Sequence, residues 1–221
     1  MPAKNTIRTF VKDGIYHVYN RGVEKRKIFL DKQDYRIFNY YLKTYLTAPS
    51  IGGDSPRIVL RLGREFDLYK NLELMCYALM PNHFHFLLKQ NSENAVTEFM
   101  KRLTNAYVKY FNDKYDRVGT LFQGRYRAIL VDKDEYLTHL SSYIHINPIE
   151  MKEFSDAEKL KKYTFSSYLD YIGKRNTPWV HRDFILNYFE KDKFSDYEEQ
   201  TKKLIFASDK YKKKLNFFLL D

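Results

Sequence analysis

The chain of 221 residues contains a single cysteine, Cys76. One thiol forms no intrachain disulfide and no cysteine-rich metal site, so the sequence predicts a protein of a reducing cytoplasm. Cys76 itself lies in an apolar run and reads as core. Residues 1–12 lack the apolar stretch of a secretory signal. No run of about eighteen apolar residues occurs, so no membrane span is predicted. Internal repeats are also missing. These absences argue against a disulfide scaffold, a membrane protein and a solenoid.

What is present points elsewhere. Hydrophobic residues make up 44% of the chain, enough for one well-packed domain with a small appendage. Aromatics reach 17%, with 20 tyrosines and 17 phenylalanines. Such rings fill a core, and they also stack on unpaired bases. The formal charge of +10 points to a polyanionic partner, with nucleic acid first, or simply to solubility.

Residues 14–20, Gly-Ile-Tyr-His-Val-Tyr-Asn, read as a strand. Asp31 to Leu46 reads as a helix with Asp31 as N-cap. Residues 47–70 form a loop, with a small strand expected at Arg57–Leu62. Leu72–Leu79 and His83–Lys89 read as strands around a turn at Met80–Asn82. Ser92 is expected to cap a second helix, whose apolar stripe runs from Val96 to Phe111. Tyr126–Val131 reads as a strand. Asp132 is expected to open a third helix, with Glu135 completing a capping box and Pro148 ending the helix. The order β-α-β-β-α-β is that of an α+β, ferredoxin-like split βαβ fold, an antiparallel sheet with two helices on one face. Residues 1–154 are taken as this domain and 155–221 as a C-terminal helical extension. The basic end of the extension, Lys202–Lys214, suits either DNA contact or a solvated helix face.

The run His83-Phe84-His85-Phe86 carries the chemistry. On a strand, residues two apart share a face. His83 and His85 therefore project together, and Phe84, Phe86 and Leu88 face the core. Two co-facing imidazoles can begin a metal site or serve structurally. Tyr143 and Asn147 share a face of the third helix, whose apolar side is expected to hold Tyr136, Leu137, Leu140 and Ile144. A tyrosine hydroxyl can act as a nucleophile, and an amide oxygen can bind a hard divalent metal. Tyr143 is equally compatible with an ordinary tyrosine of an amphipathic helix.

Five ordered stretches carry a resemblance over roughly residues 14 to 170. They are Tyr16-His-Val-Tyr-Asn-Arg-Gly22, Tyr77-Ala-Leu-Met-Pro-Asn-His-Phe-His-Phe-Leu-Leu88, Leu121-Phe-Gln-Gly-Arg-Tyr-Arg-Ala-Ile-Leu-Val131, Tyr143-Ile-His-Ile-Asn-Pro-Ile149 and Phe165-Ser-Ser-Tyr168. Together they resemble the single-tyrosine HUH transposases, and most closely the REP-associated tyrosine transposases. The resemblance implies a bacterial, nucleoid-associated protein that cuts and rejoins single-stranded DNA beside hairpins. It implies His83 and His85 as metal ligands for Mg²⁺ or Mn²⁺, with Asn147 as a further ligand and Tyr143 as the nucleophile. Attack by Tyr143 would leave a 5′-phosphotyrosine link and a free 3′-OH. Relatives act as homodimers or alone, so either state is open.

Cations surround these blocks. Between residues 101 and 127 stand seven lysines and arginines against two acids. Lys101, Arg102, Gln123, Arg125 and Arg127, with Arg21, are expected to contact DNA phosphates, the last three of the 123–127 stretch from one side of a strand entry. His17 suits either a group supporting the histidine pair or a core histidine, with the core reading preferred, and His139 either a group orienting Tyr143 or an exposed helix histidine, with the exposed reading preferred. Two departures from the family pattern stand out. Residues 47–70 are longer than expected, and Asn147 precedes Pro148, which disfavours helical angles. Two other readings compete with the nuclease. One is a hairpin-binding protein that no longer cuts. The other is a zinc hydrolase, which would need further nitrogen or carboxylate ligands.

Overall fold

The computed structural model describes residues 10–48, 68–133, 135–190 and 192–207. The strand expected at Arg57–Leu62 and most of the basic end at Lys202–Lys214 lie outside them. Four strands, β1 (Ile15–Arg21), β2 (Leu72–Met80), β3 (His83–Gln90) and β4 (Arg127–Leu130), form one antiparallel sheet in the order β2-β3-β1-β4. This is the ferredoxin-like arrangement expected from the element order.

Alternation along the strands gives the sheet two unlike faces. Val18, Phe84 and Phe86 are fully buried beneath helices α1 (Lys32–Leu46) and α2 (Ala95–Lys114). Phe38 of α1 packs against both Phe84 and Phe86, and Phe99 of α2 against Phe86. Asp31 caps α1 by accepting from the amides of Gln33 and Asp34, and the Asp34 carboxylate in turn accepts from the Asp31 amide. Each cap of this kind stabilises a helix by about 1 kcal/mol.

Three local expectations need correction. Ser92 does not cap α2, whose N-cap is Asn94, held at φ 70°. The chain spends two more residues in a turn before the helix begins. Asp132 does not open the third helix, α3 (Glu135–Ile146), which starts three residues later. Asp134 and the side chain of Glu135 are outside the described residues. On α3, Leu137, Leu140 and Ile144 are buried as expected, but Tyr136 is 41% exposed. Tyr136 is the second residue of the helix and stands beside the buried stripe of Leu137, Leu140 and Ile144 and not in it.

From residue 155 the chain returns to the sheet. Ser166 bridges Ala78, and Val180 bridges Leu74, along the outer edge of β2. The amides of Ser167 and His181 donate to the carbonyls of Tyr77 and Leu74. This covers an edge that would otherwise offer unpaired backbone groups. Helix α4 (Lys193–Phe206) then packs on α3, and Tyr168, Tyr171, Tyr197 and Leu204 join the same hydrophobic core as the sheet. Cys76 is buried, and its thiol pKa is pushed up by that burial. Among the described residues, no helix is long and apolar enough to cross a membrane.

Candidate functional site

The second face of the sheet carries the histidines. β3 points His83 and His85 towards α3, and β1 contributes His17, Tyr19 and Arg21 to the same face. Strand register sets these neighbours, with Tyr19 opposite His85, Arg21 opposite His83, and Arg127 opposite Tyr19. The rings of His83 and His85 meet edge to face at 5.0 Å. Tyr143, from α3, meets His85 with the two rings nearly perpendicular and their centres 6.4 Å apart.

Asn147 begins a 3-10 turn, Asn147–Glu150, just beyond α3. Pro148 does break the α-helix, yet the side chain keeps its place. Its Nδ2 donates to the carbonyls of Tyr143 at 2.9 Å and Ile144 at 3.3 Å. With both donors directed to the backbone, the amide oxygen is the remaining polar atom of a side chain that lies close to His83.

The partners of each imidazole settle which nitrogen is committed. Nδ1 of His83 lies 2.7 Å from Oδ1 of Asn82. That oxygen only accepts, so the His83 hydrogen sits on Nδ1 and Nε2 keeps its lone pair. Nδ1 of His85 lies 2.9 Å from Nε2 of His17, so that contact engages Nδ1 and not Nε2, whichever ring donates. Burial lowers the pKa of His83, against the opposing charge of Glu150 and the nearby Asn147 side chain. His85 is held well below the usual range by burial and by its neighbours His83 and His17. Both are therefore neutral at pH 7, the form a metal requires. Tyr143 is pushed up to about 12, chiefly by burial, with Glu150 and Tyr19 adding to the shift.

Two imidazole nitrogens and one amide oxygen form a neutral donor set that suits a divalent cation retaining further positions for water or phosphate. Among the described residues, no three His, Cys, Asp or Glu side chains gather into a metal cluster. The further nitrogen or carboxylate ligands that a zinc hydrolase would need are therefore not found there.

The expected DNA-contacting residues divide between two faces. Arg21 donates from Nε to Oε1 of Gln123 at 2.5 Å, and Arg127 lies beside Tyr19, so these three border the histidines. Arg125 does not join them. Gly124 adopts φ 68°, which breaks the alternation expected over 123–127. Arg125 instead lines a groove with Asn20, Lys101 and Lys109 on the helical side of the sheet. Lys101 and Arg102 also line a neighbouring groove with Tyr41, Tyr45 and Tyr110. His139 is exposed, as expected.

Sequence reasoning passed over Tyr19 and Glu150. Tyr19 was open to discovery as the residue two beyond His17 on one strand face. Glu150 lies three residues after Asn147, a spacing that marks a shared face only once the helix is known to continue as a 3-10 turn.

The fold matches that of a REP-associated tyrosine transposase bound to a REP hairpin, with a TM-score of 0.53 and 12% identity over 81% of this chain and 98% of that one. Weaker structural similarities extend to a candidate transposase from Deinococcus radiodurans (TM-score 0.36, 17% identity, 64% of this chain and 95% of that one). They extend also to a tRNA(His) guanylyltransferase from Saccharomyces cerevisiae (TM-score 0.39, 12% identity, 92% and 80%). No curated protein matches the sequence. Residues 53–147 match the family model described as Transposase IS200 like, and over that stretch the chain is similar to that family. The match includes His83, His85, Tyr143 and Asn147.

Proposed function

We propose that the protein is a metal-dependent single-stranded DNA endonuclease and strand transferase acting beside hairpins, in the bacterial cytoplasm. The observation that carries this reading is the meeting of Tyr143 with His85, which in turn packs on His83, with Asn147 one helical turn further on. His83, His85 and Asn147 would hold Mg²⁺ or Mn²⁺. When bound, the cation would polarise the scissile phosphate and offset its charge.

The chain's own residues do the rest. Tyr143 attacks phosphorus through its hydroxyl oxygen, forming a phosphotyrosine ester as the bond from phosphorus to the 3′ oxygen breaks. The phenol loses its proton and the leaving 3′ oxygen gains one, so the product is a free 3′-OH. Reversal by this hydroxyl, or by that of another strand, rejoins DNA without an external energy source. The phenol is neutral at rest, because burial holds its pKa near 12. Arg21, Gln123 and Arg127 border the site and suit the strand being cut. Lys101, Arg102 and Arg125 suit phosphates of a hairpin on the helical side. Tyr143 meets the histidines of its own chain, which supports cleavage by a single molecule.

The test is a cleavage assay. Labelled single-stranded hairpin DNAs are incubated with the protein and Mg²⁺, Mn²⁺ or EDTA, then run on denaturing gels. The expected result is a covalent protein–DNA species that needs metal and disappears in Tyr143→Phe. Tight hairpin binding with no such species under either metal would instead establish a binding protein that no longer cuts.

A further inference from the structure

His17 is 1% exposed and lies outside the segment that matches the transposase family. On β1 it sits diagonally across from His85, two pairs away in register. The two ring planes differ by 14°, their centres are 5.1 Å apart, and the nitrogens are 2.9 Å apart. With the nitrogens this close and the centres this far, each nitrogen lies nearly on the line joining the rings. The contact is an in-plane N–H···N hydrogen bond and not a face-to-face stack.

A neutral imidazole has one donor nitrogen and one acceptor, so the pair admits two arrangements. In one, His17 donates from Nε2, which forces the hydrogen of His85 onto Nε2 and blocks that nitrogen as a ligand. In the other, His85 donates from Nδ1, and its Nε2 lone pair faces Tyr143 and His83. Nδ1 of His17 is buried with no hydrogen-bond partner. A histidine kept only for packing would leave one polar atom unsatisfied at a cost of about 1–3 kcal/mol, which an apolar residue would avoid. The contact with His85 is therefore the feature that distinguishes His17 from a core filler.

We propose that His17 is a positioning residue that accepts the Nδ1 hydrogen of His85 and so fixes the tautomer in which His85 can ligate a divalent cation. The proposal rests on the metal-site reading given above. Metal-bound histidines in general direct their second nitrogen to such an acceptor, and removing the acceptor costs about 10–100-fold in metal affinity. Here the acceptor is itself a histidine, held in place by the neighbouring strand.

Two measurements on DNA-free protein test this. The ¹⁵N shifts of His85 in the Mg²⁺-saturated wild type report which nitrogen carries hydrogen, and Mn²⁺ titration reports affinity in wild type, His17→Leu and His17→Gln. The expected results are a protonated Nδ1 and an affinity lowered about 10–100-fold in His17→Leu. His17→Gln, whose amide oxygen can accept at similar reach, retains most of the affinity. A His85 hydrogen on Nε2, or a folded His17→Leu variant that binds Mn²⁺ as the wild type does, would overturn the role of His17 alone. If His17→Leu does not fold, the wild-type spectrum and the glutamine variant decide. A wild type that binds no Mn²⁺ overturns the metal-site reading itself, and the tautomer role with it.

Discussion

His145 and His85 are both buried, and both lie at the interface between α3 and the sheet. They use their ring nitrogens differently. His145 is satisfied on both sides, with Nδ1 at 2.7 Å from the Tyr197 hydroxyl and Nε2 at 2.7 Å from the Ser167 hydroxyl. Those partners are held in turn, Tyr197 by Ser141 and Ser167 by the Tyr77 amide. The network ties α3 to α4 and to β2. His85 commits Nδ1 to His17 and has Nε2 left over, beside Tyr143 and His83. A histidine with both nitrogens satisfied by the fold serves the fold. One with a nitrogen to spare, among other such groups, serves a ligand.

The largest expected effect breaks the second half of this comparison. His85→Ala removes a proposed ligand outright, so Mn²⁺ affinity should fall by more than about 100-fold, beyond the range for losing a supporting partner. The covalent DNA species should vanish, with a loss of stability smaller than that expected for His145→Ala because one partner, His17, is stranded and not two. Titration calorimetry and a thermal melt read the two quantities. A variant that still binds metal with wild-type affinity would rule out His85 as a ligand.

His145→Ala should do the reverse. It leaves a cavity and strands Tyr197 and Ser167, for a loss of about 3 kcal/mol of stability. The yield of covalent species per folded molecule should survive at a temperature where the variant is folded. Urea unfolding checks the first figure. A loss of cleavage with no loss of stability would turn the assignment of the two histidines around.

Acid sharpens the same contrast. Burial, with help from Arg175, lowers the His145 pKa to about 3, against an ordinary value of 6.5. The unfolded chain takes up a proton below 6.5, whereas the native state does so only near 3. The contribution of His145 is thus complete above pH 6.5 and is lost as pH falls towards 3, at about 1.4 kcal/mol per pH unit. His145→Gln should flatten the stability-against-pH curve by one proton across that window. Denaturant midpoints at pH 7, 6, 5 and 4 would show it, and an unchanged slope would mean His145 is already protonated in the native state.

The difference between these histidines was only half legible in the sequence. Strand alternation put His83 and His85 on one face and Phe84 and Phe86 on the other, because a period of two needs no knowledge of the rest of the chain. The capping chemistry of α1 was readable at Asp31 for the same local reason. Nothing local marks His145 as saturated, since its partners come from residues 167 and 197. The contact of His17 with His85 depends on which strands pair, and the turning away of Arg125 depends on one glycine dihedral. Ser92 and Asp132 looked like caps by residue type, but the helices begin where tertiary packing first supports them.

The smallest expected effect concerns that turning of Arg125. Arg127 borders the histidines and Arg125 the helical groove, although they are two residues apart. If each contacts one phosphate, replacing either by alanine should reduce the slope of log affinity against log salt by about 0.7–0.9. The two losses should differ in kind. Arg127→Ala should also lower the covalent yield at saturating DNA, because it disturbs the strand presented to Tyr143. Arg125→Ala should weaken binding of hairpin substrates while leaving the saturated yield as in the wild type. Equal losses of yield would mean that one strand crosses both faces, and the separation of cutting face from holding face would have to be given up.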